Sequence, residues 1–262
     1  MELPLDVVLV RHGESEGNEA VRRERAGDDS MLRRLRERHS SFWRLTEEGV
    51  AQAERSGAWL RDAFPGGFDR HYTSEYVRAM ETAARLRLPD AEWMIHPGLR
   101  ERSWGELDRL TEDERHEHYA AQLADKAASP FYWRPPNGES IAEVSYRLLG
   151  VLDRLRDDCP VGRALLVCHG ELIGAFRARL EDMSQRDFHR WSTDPGEKIA
   201  NGEIIHYTRQ HPETGERAER FAWRRSAVPQ DESRSQPWSA IGLRRYDASG
   251  LMAAVEETPP VT

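Results

Sequence analysis

Two histidines follow apolar runs in this sequence, and both are candidates for chemistry. His12 comes after the run at 7–10 with one arginine between them, and His169 directly follows the run at 164–168. Short apolar runs that end at a glycine favour buried strands. If the two strands are neighbours in an α/β sheet, both imidazoles lie side by side at the edge where such sheets bind ligands.

The residues around His12 resemble a known family. Arg-His-Gly-Glu at 11–14, with Asn18 six residues beyond His12, resembles the opening motif of the histidine phosphatase superfamily, whose best-known branch is the cofactor-dependent phosphoglycerate mutases. Three later stretches resemble further landmarks in the same order. They are Tyr-Thr-Ser-x-x-x-Arg-Ala at 72–79, Leu-x-Glu-x-x-x-Gly at 99–105 and Val-x-His-Gly at 167–170. Together the landmarks span about residues 5–210.

This resemblance implies phosphoryl transfer through a covalent phosphohistidine on His12. It implies Glu101 as the proton donor and His169 as the second catalytic histidine. The phosphate ligands that it implies are Arg11, Asn18, Arg78 and His169. Trp104 stands where the mutases carry a substrate-binding Tyr, and Glu171 stands where they carry a substrate-contacting Asn, so both are candidates to line the substrate pocket.

The residue types suit this chemistry. Arg11 and Arg78 can hold phosphate oxygens through bidentate, charge-assisted hydrogen bonds. His12 must be neutral at one ring nitrogen to attack phosphorus, and two nearby arginines disfavour its protonated form. Glu101 must be protonated to donate to the leaving oxygen, and a bound phosphate favours that form. The alternative for Glu101 is a surface carboxylate paired with Arg100 or Arg102, but its register with Gly105 favours the catalytic interpretation.

Composition narrows the classes of function. The chain has 262 residues and a formal net charge of −8, which argues against nucleic acid as a partner. Its two cysteines indicate neither a disulfide framework nor a metal site. No apolar stretch is long enough to span a membrane, and the N-terminus does not read as a secretory signal. We therefore expect a cytoplasmic enzyme that needs no metal or other cofactor and has no membrane partner.

Length and apolar pattern predict one large α/β domain, and the resemblance to phosphoglycerate mutase-like proteins implies a three-layer α/β/α sandwich with a mostly parallel central sheet. Apolar residues spaced by three and four mark the buried faces of helices at 46–64 and 140–155. Capping boxes are predicted at Thr111 and Ser140, and Ser74 is expected to cap the helix after the second strand. Residues 1–227 are predicted to form one domain, with 203–227 as a hairpin at one sheet edge.

Two segments fall outside the shared landmarks. The Arg-rich insertion at 19–45 is either a solvated helical segment or a lid and specificity segment over the site. Within the opening motif the family often has Trp where this chain has Gly17. The polar tail at 228–262 is expected to be disordered or packed on the body.

Three functions remain open from the sequence. A phosphatase acting on a small phosphorylated metabolite is favoured, because 106–128 offers no clear counterpart of the Lys and paired Arg that mutases use, and because Glu171 would repel a second anionic group. A 2,3-bisphosphoglycerate-dependent phosphoglycerate mutase, or a related phosphomutase, is the first alternative. A non-catalytic binding protein on this fold is the second. A homodimer is compatible with all three.

Overall fold

The computed structural model describes residues 2–257, and its centre is a seven-stranded mixed sheet. The strands are β1 (Asp6–Arg11), β2 (Arg70–Thr73), β3 (Trp93–Ile95), β4 (Arg163–Cys168), β5 (Ile204–Thr208), β6 (Trp223–Ala227) and β7 (Gln236–Ala240). Their spatial order is β3-β2-β4-β1-β5-β6-β7. The predicted α/β fold is therefore confirmed, with four parallel strands on one side and three strands added antiparallel on the other.

Helices cover both faces of this sheet. They are α1 (Glu16–Arg25), α2 (Ser30–Leu35), α3 (Glu47–Ala63), α4 (Val77–Arg85), α5 (Glu112–Ala128), α6 (Ile141–Asp158), α7 (Gly170–Leu180), α8 (Gln185–Thr193) and α9 (Ala248–Glu256). Because strand side chains alternate between faces, Val7 and Leu9 pack with α6 and α7, whereas Val8 and Val10 pack with α3 and α4. Two separate cores thus hold the three layers together.

The pairing of β1 with β4 places the two histidines. The strands run parallel with Arg11 opposite Cys168, so the residue after each strand emerges at the same edge. The main-chain N–H of His12 donates to the carbonyl of Cys168 at 3.0 Å and continues the ladder one residue further. The expectation that the two apolar runs are neighbouring strands is confirmed.

Local capping signals start several helices where the sequence predicts. Thr111 accepts a hydrogen bond from the main chain of Glu114, whose side chain accepts one from the Thr111 N–H in return. Ser140 and Glu143 form the same reciprocal pair at the start of α6. Each box satisfies main-chain donors that a first helical turn would otherwise leave unpaired.

The C-terminal side of the sheet differs from the prediction. β5 and β6 form the predicted antiparallel pair, but β7, from the tail, pairs with β6 and takes the sheet edge expected for 203–227. Trp238 of β7 packs against His206 of β5, with ring centroids 4.8 Å apart. Residues 258–262 of the predicted tail lie outside the described residues. Within 2–257, no helix is both long and apolar enough to cross a membrane.

The Arg-rich insertion folds as α1, α2 and a short turn at 40–42. Many of its arginines are exposed, but the segment also contributes buried Leu32 and Ser40. Arg36 forms two hydrogen bonds with the carboxylate of Glu114, at 3.1 and 2.7 Å. The insertion is therefore anchored to the start of α5.

We expect Leu148→Ala to lower the free energy of unfolding by roughly 2–5 kcal/mol, because it opens a cavity in the α6–α7 core where Leu148 is fully buried. Leu149→Ala is the matched control, since the neighbouring side chain is 38% exposed, and we expect a change within about 0.5 kcal/mol. Urea denaturation measures both values. Equal losses would contradict the assignment of the buried face.

Candidate active site

His12 is held as a neutral imidazole with one nitrogen available. Nδ1 lies 2.7 Å from the carbonyl oxygen of Gly13, and since a carbonyl only accepts, Nδ1 carries the proton. Nε2 accepts a hydrogen bond from Nε of Arg78 at 3.1 Å. Burial lowers the pKa of His12 well below its usual value, and the charges of Arg78 and Arg11 lower it further. This is the protonation state that a nitrogen nucleophile requires.

His169 lies beside His12, with ring centroids 5.2 Å apart and the rings at 63°. It is fully buried, and its Nε2 lies 2.9 Å from Oγ of Ser74. Burial, followed by the charge of Arg78, lowers the pKa of His169 well below its usual value. The prediction that Ser74 caps the helix after the second strand is wrong, because α4 begins at Val77 and Tyr76 takes the N-cap position. The Ser74 hydroxyl contacts the ring of His169 instead.

Two arginines converge on this histidine pair. Arg78 is buried, and its Nη1 donates to the carbonyl of Ser40 at 2.7 Å. Nη1 of Arg11 donates to the carbonyl of Ile199 at 2.5 Å. Carbonyl partners satisfy the N–H groups without cancelling the positive charge, so both guanidinium groups keep their charge available to an anion.

Two buried nitrogen atoms of the site have no hydrogen-bond partner among the described residues. They are Nε of Arg11 and Nδ1 of His169. Buried polar groups are nearly always paired, and an unpaired one is costly. The oxygens of a phosphoryl group supply the acceptors that these nitrogens need, and that fit agrees with the phosphate-binding roles predicted for both residues.

Glu101 is the carboxyl group of this centre. Its Oε1 accepts hydrogen bonds from the main-chain N–H groups of Arg102, at 2.9 Å, and Leu172, at 3.2 Å. Burial raises the pKa of Glu101, and the charge of Glu171 raises it further, against the opposing effects of the Arg102 N–H, Arg78 and Arg11. A raised pKa favours the protonated acid that a proton donor must be.

Asn18 lies at the start of α1 and lines the same pocket. Its Oδ1 accepts hydrogen bonds from the main chain and hydroxyl of Ser15, and from Nδ2 of Asn201 at 3.1 Å. Because the oxygen is occupied, the amide nitrogen is the group left to donate to a phosphate. The phosphate-binding role of Asn18 stays a prediction.

Trp104 and Glu171 are bound to each other. Nε1 of Trp104 donates to Oε2 of Glu171 at 2.7 Å, and Nη1 of buried Arg102 lies 3.2 Å from Oε1 of the same carboxylate. The negative charge of Glu171 is therefore compensated. The expectation that this carboxylate simply repels a second anionic group does not take this pairing into account.

Three cations surround the indole of Trp104. The guanidinium carbons of Arg102 and Arg115 lie 5.2 and 5.6 Å from its ring centre, and Nζ of Lys126 lies 4.5 Å away. None of the ion pairs within residues 2–257 involves Arg115 or Lys126. Residues 106–128 thus place two cations, Arg115 and Lys126, beside Trp104, although the sequence offered no clear counterpart there of the cations that mutases use.

These side chains surround a pocket of about 350 Å³. Of the predicted site residues, its lining contains Arg11, His12, Asn18, Arg78, Glu101 and Trp104. His169 and Glu171 are absent from the lining and join the site through their contacts with His12 and Trp104. Within the described part of the chain, no group of three or more His, Cys, Asp or Glu side chains is arranged to hold a metal ion.

A family model agrees with this geometry. The model of the histidine phosphatase superfamily (branch 1) matches residues 7–219, which contain every predicted site residue. The chain belongs to the histidine phosphatase superfamily. Among curated relatives of this superfamily member, a 2,3-bisphosphoglycerate-dependent phosphoglycerate mutase of Methylobacterium radiotolerans is 31% identical over 192 residues, which are 68% of this chain and 80% of the relative.

Solved structures of other superfamily members share the fold. The α-ribazole phosphatase of Shigella flexneri superposes with a TM-score of 0.60 at 22% identity, covering 92% of this chain and all of that one. A mycobacterial glucosyl-3-phosphoglycerate phosphatase superposes with a TM-score of 0.59 at 20% identity, covering 91% and 97%. At these identities the similarity concerns the fold.

Sequence reasoning about this superfamily member missed several residues of the site. Tyr76 packs on His169, with ring centroids 5.1 Å apart, and lies 4.9 Å beneath the guanidinium carbon of Arg78. Arg102 is next to Glu101 in sequence, and this adjacency was the signal that could have identified it. Asn201 and Lys126 lie far from every motif, so only the folded chain identifies them.

The neutral histidines make stability depend on pH. Unfolded His169 takes up a proton near pH 6.5, whereas the buried ring resists it, so the unfolded state binds more protons below that pH and the free energy of unfolding falls. We expect His169→Asn to make this fall shallower by up to about 1.4 kcal/mol per pH unit between pH 6.5 and 5. Denaturant titrations at several pH values measure the slope.

The control for this measurement is His118→Asn, because the His118 side chain is 58% exposed and its replacement is expected to leave the slope unchanged. Identical slopes for the wild type and His169→Asn would mean that the buried ring takes up its proton as readily as the unfolded one. That result would contradict the neutral histidine pair.

Proposed function

We propose that this enzyme hydrolyses a small-molecule phosphomonoester through a phosphohistidine intermediate on His12, with Glu101 as proton donor and without a metal ion. The observation that carries the proposal is the state of His12. Its Nδ1 proton is fixed by the Gly13 carbonyl, and its Nε2 lone pair accepts from Nε of Arg78. Arg78 and Arg11 are hydrogen-bonded to main-chain carbonyls. This arrangement suits a nucleophile that attacks an anionic phosphoryl group.

In the first step, Nε2 of His12 attacks phosphorus and the ester P–O bond breaks. Arg78 keeps its proton and donates its Nε–H hydrogen bond to a phosphoryl oxygen in place of His12. Arg11 and His169 donate to the other oxygens through Nε and Nδ1, which have no partner among the described residues. Glu101 gives its proton to the departing alkoxide. The arginines neutralise the equatorial oxygens, a task that metal ions perform in many phosphoryl transferases.

In the second step, the Glu101 carboxylate takes a proton from water and the water oxygen attacks phosphorus. The P–N bond breaks, inorganic phosphate leaves and His12 returns to its neutral form with Nδ1 still protonated. Glu101 is again the protonated acid, so the cycle closes without another reactant. Burial and the charge of Glu171 raise the pKa of Glu101, and a raised pKa suits both its role as acid in the first step and its role as base in the second.

Phosphoglycerate mutase activity is the second candidate, and a specific observation favours it. Arg102, Arg115 and Lys126 surround Trp104, and Glu171 is the carboxylate that binds this indole, so cations are concentrated at this end of the site. A mutase must retain a bisphosphorylated intermediate, and such a cluster suits its second anionic group. The relative from Methylobacterium radiotolerans carries the mutase name, whereas the two structures carry phosphatase names.

Phosphate release from a panel of phosphomonoesters is expected to survive EDTA and to fall by roughly 10³-fold or more in His12→Ala, because that variant lacks the nucleophile. Stopped assays for inorganic phosphate, with and without EDTA, measure both effects. Trapping with a ³²P-labelled ester and digestion should place the label on His12.

His118→Ala is the control for that experiment, since this histidine is exposed on α5 and is expected to retain full activity. Unfolding curves of His12→Ala establish that the variant is folded. Activity that requires a divalent metal, or that persists in folded His12→Ala, would refute the proposed mechanism.

With 3-phosphoglycerate and catalytic 2,3-bisphosphoglycerate, we expect hydrolysis to exceed isomerisation to 2-phosphoglycerate. Time courses that follow both products by NMR give the ratio. Isomerisation above hydrolysis would replace the phosphatase assignment with the mutase. In that case Lys126→Met should lower the isomerisation-to-hydrolysis ratio, because one cation beside Trp104 is lost.

A further inference from the structure

The insertion contributes an indole to the pocket wall. Gly17 is buried in the first turn of α1, and a Cβ atom at this position would lie 2.2 and 2.4 Å from Cε3 and Cζ3 of Trp43. The ring of Trp43 therefore lies directly on the main chain at Gly17, closer than any other residue type allows. Its Nε1 donates to the carbonyl of Leu35 at 3.3 Å, which sets the orientation of the ring.

Two aliphatic side chains extend this surface. Val21 comes from α1 and Leu32 from α2, and both line the same pocket as Trp43. Leu32 is 2% exposed, so it is part of the packed structure and not a mobile surface residue. Val21, Leu32 and Trp43 are called the apolar wall below.

The apolar wall is anchored from outside the phosphate centre. Ser40 Oγ donates to Asp108 at 2.8 Å, and Nη1 of Arg109 donates to the carbonyl of Arg36 at 2.9 Å. These bonds, with the pair between Arg36 and Glu114, tie the insertion to residues 105–115. None of them involves His12, but the same segment also contacts Arg78, whose Nη1 donates to the carbonyl of Ser40 at 2.7 Å.

The chemistry of the pocket divides into two parts. The phosphoryl group is accounted for by His12, Arg11 and Arg78. The rest of the lining is mixed, because it contains Asp108, Arg109 and Arg115 as well as the apolar wall. A volume of about 350 Å³ is within the range of pockets for drug-sized ligands and leaves room for a leaving group. An aliphatic and aromatic surface is favourable only if the ligand covers it with apolar atoms.

We propose that the apolar wall determines the leaving group of the reaction, and that the substrate is a phosphomonoester whose alcohol carries an apolar, ring-containing part. This inference rests on the proposed hydrolysis and adds the class of alcohol to it. Trp43 and Val21, which are half-buried, supply the contacts with the alcohol, and buried Leu32 supports them from behind. Gly17 is required because only glycine admits the indole at that distance.

The test compares 2-phenylethyl phosphate with ethyl phosphate, whose alcohols are similarly poor leaving groups. We expect the wild type to prefer the phenylethyl ester by at least about 10-fold in kcat/KM, and Leu32→Ala and Trp43→Ala each to lower that preference by about 10-fold. Gly17→Ala should lower it too, because the new Cβ displaces the indole. A general loss of activity cancels, since each ratio compares two esters on one variant.

Trp93→Ala is the matched control. Trp93 is a half-buried tryptophan of β3 that does not line the pocket, and its removal is expected to preserve the ratio. No preference in the wild type, or a preference that Leu32→Ala, Trp43→Ala and Gly17→Ala all retain, would overturn the proposal.

A binding measurement separates this inference from the proposed reaction. Calorimetry with 3-phenylpropylphosphonate and propylphosphonate, in which CH₂ replaces the ester oxygen, needs no turnover. Tighter binding of the phenyl compound, lost in Leu32→Ala, supports the wall even if no ester is hydrolysed. Hydrolysis of both esters with equal kcat/KM and equal phosphonate affinity would refute the wall and leave the reaction intact.

Discussion

The parallel pairing of β1 with β4 is the constraint on which the site depends. It brings the ends of two strands that are about 150 residues apart in sequence to one edge, and a histidine follows each strand. The main-chain bond from His12 to Cys168 fixes the height of one imidazole relative to the other, and their rings are 5.2 Å apart. The loops and the insertion contribute further side chains around this histidine pair, but the pairing of β1 with β4 is what brings the two histidines together.

The arginines of the site donate hydrogen bonds to main-chain carbonyls more than to carboxylates. Arg11, Arg78 and Arg115 donate to the carbonyls of residues 199, 40 and 107. Such bonds satisfy guanidinium N–H groups while leaving the full charge to act on a ligand, and the arginines in turn lower the pKa of His12. The same arginine charges that suit the site to an anion therefore also keep the His12 imidazole neutral.

Much of the fold and of the centre could be predicted from the sequence. The apolar runs at 7–10 and 164–168, the spacing of buried helix faces and the capping boxes are local signals, and each one corresponds to the structure. The edge strand β7 could not be predicted in this way, because Gln236–Ala240 is polar and only its pairing with β6 makes it a strand. The strand conformation of β7 therefore depends on its pairing with β6 and not on its own residue types.

The sequence by itself determined which residue types stand at the strand ends, since His12, His169 and the motif arginines can be recognised from order and spacing. Only the tertiary structure decided how their charges are compensated. The pairing of Glu171 with Trp104 and Arg102, the position of Lys126 over the same indole and the contact of Trp43 with Gly17 all join distant segments. No local pattern records such contacts, because their energy comes from packing between elements that meet only in the folded chain.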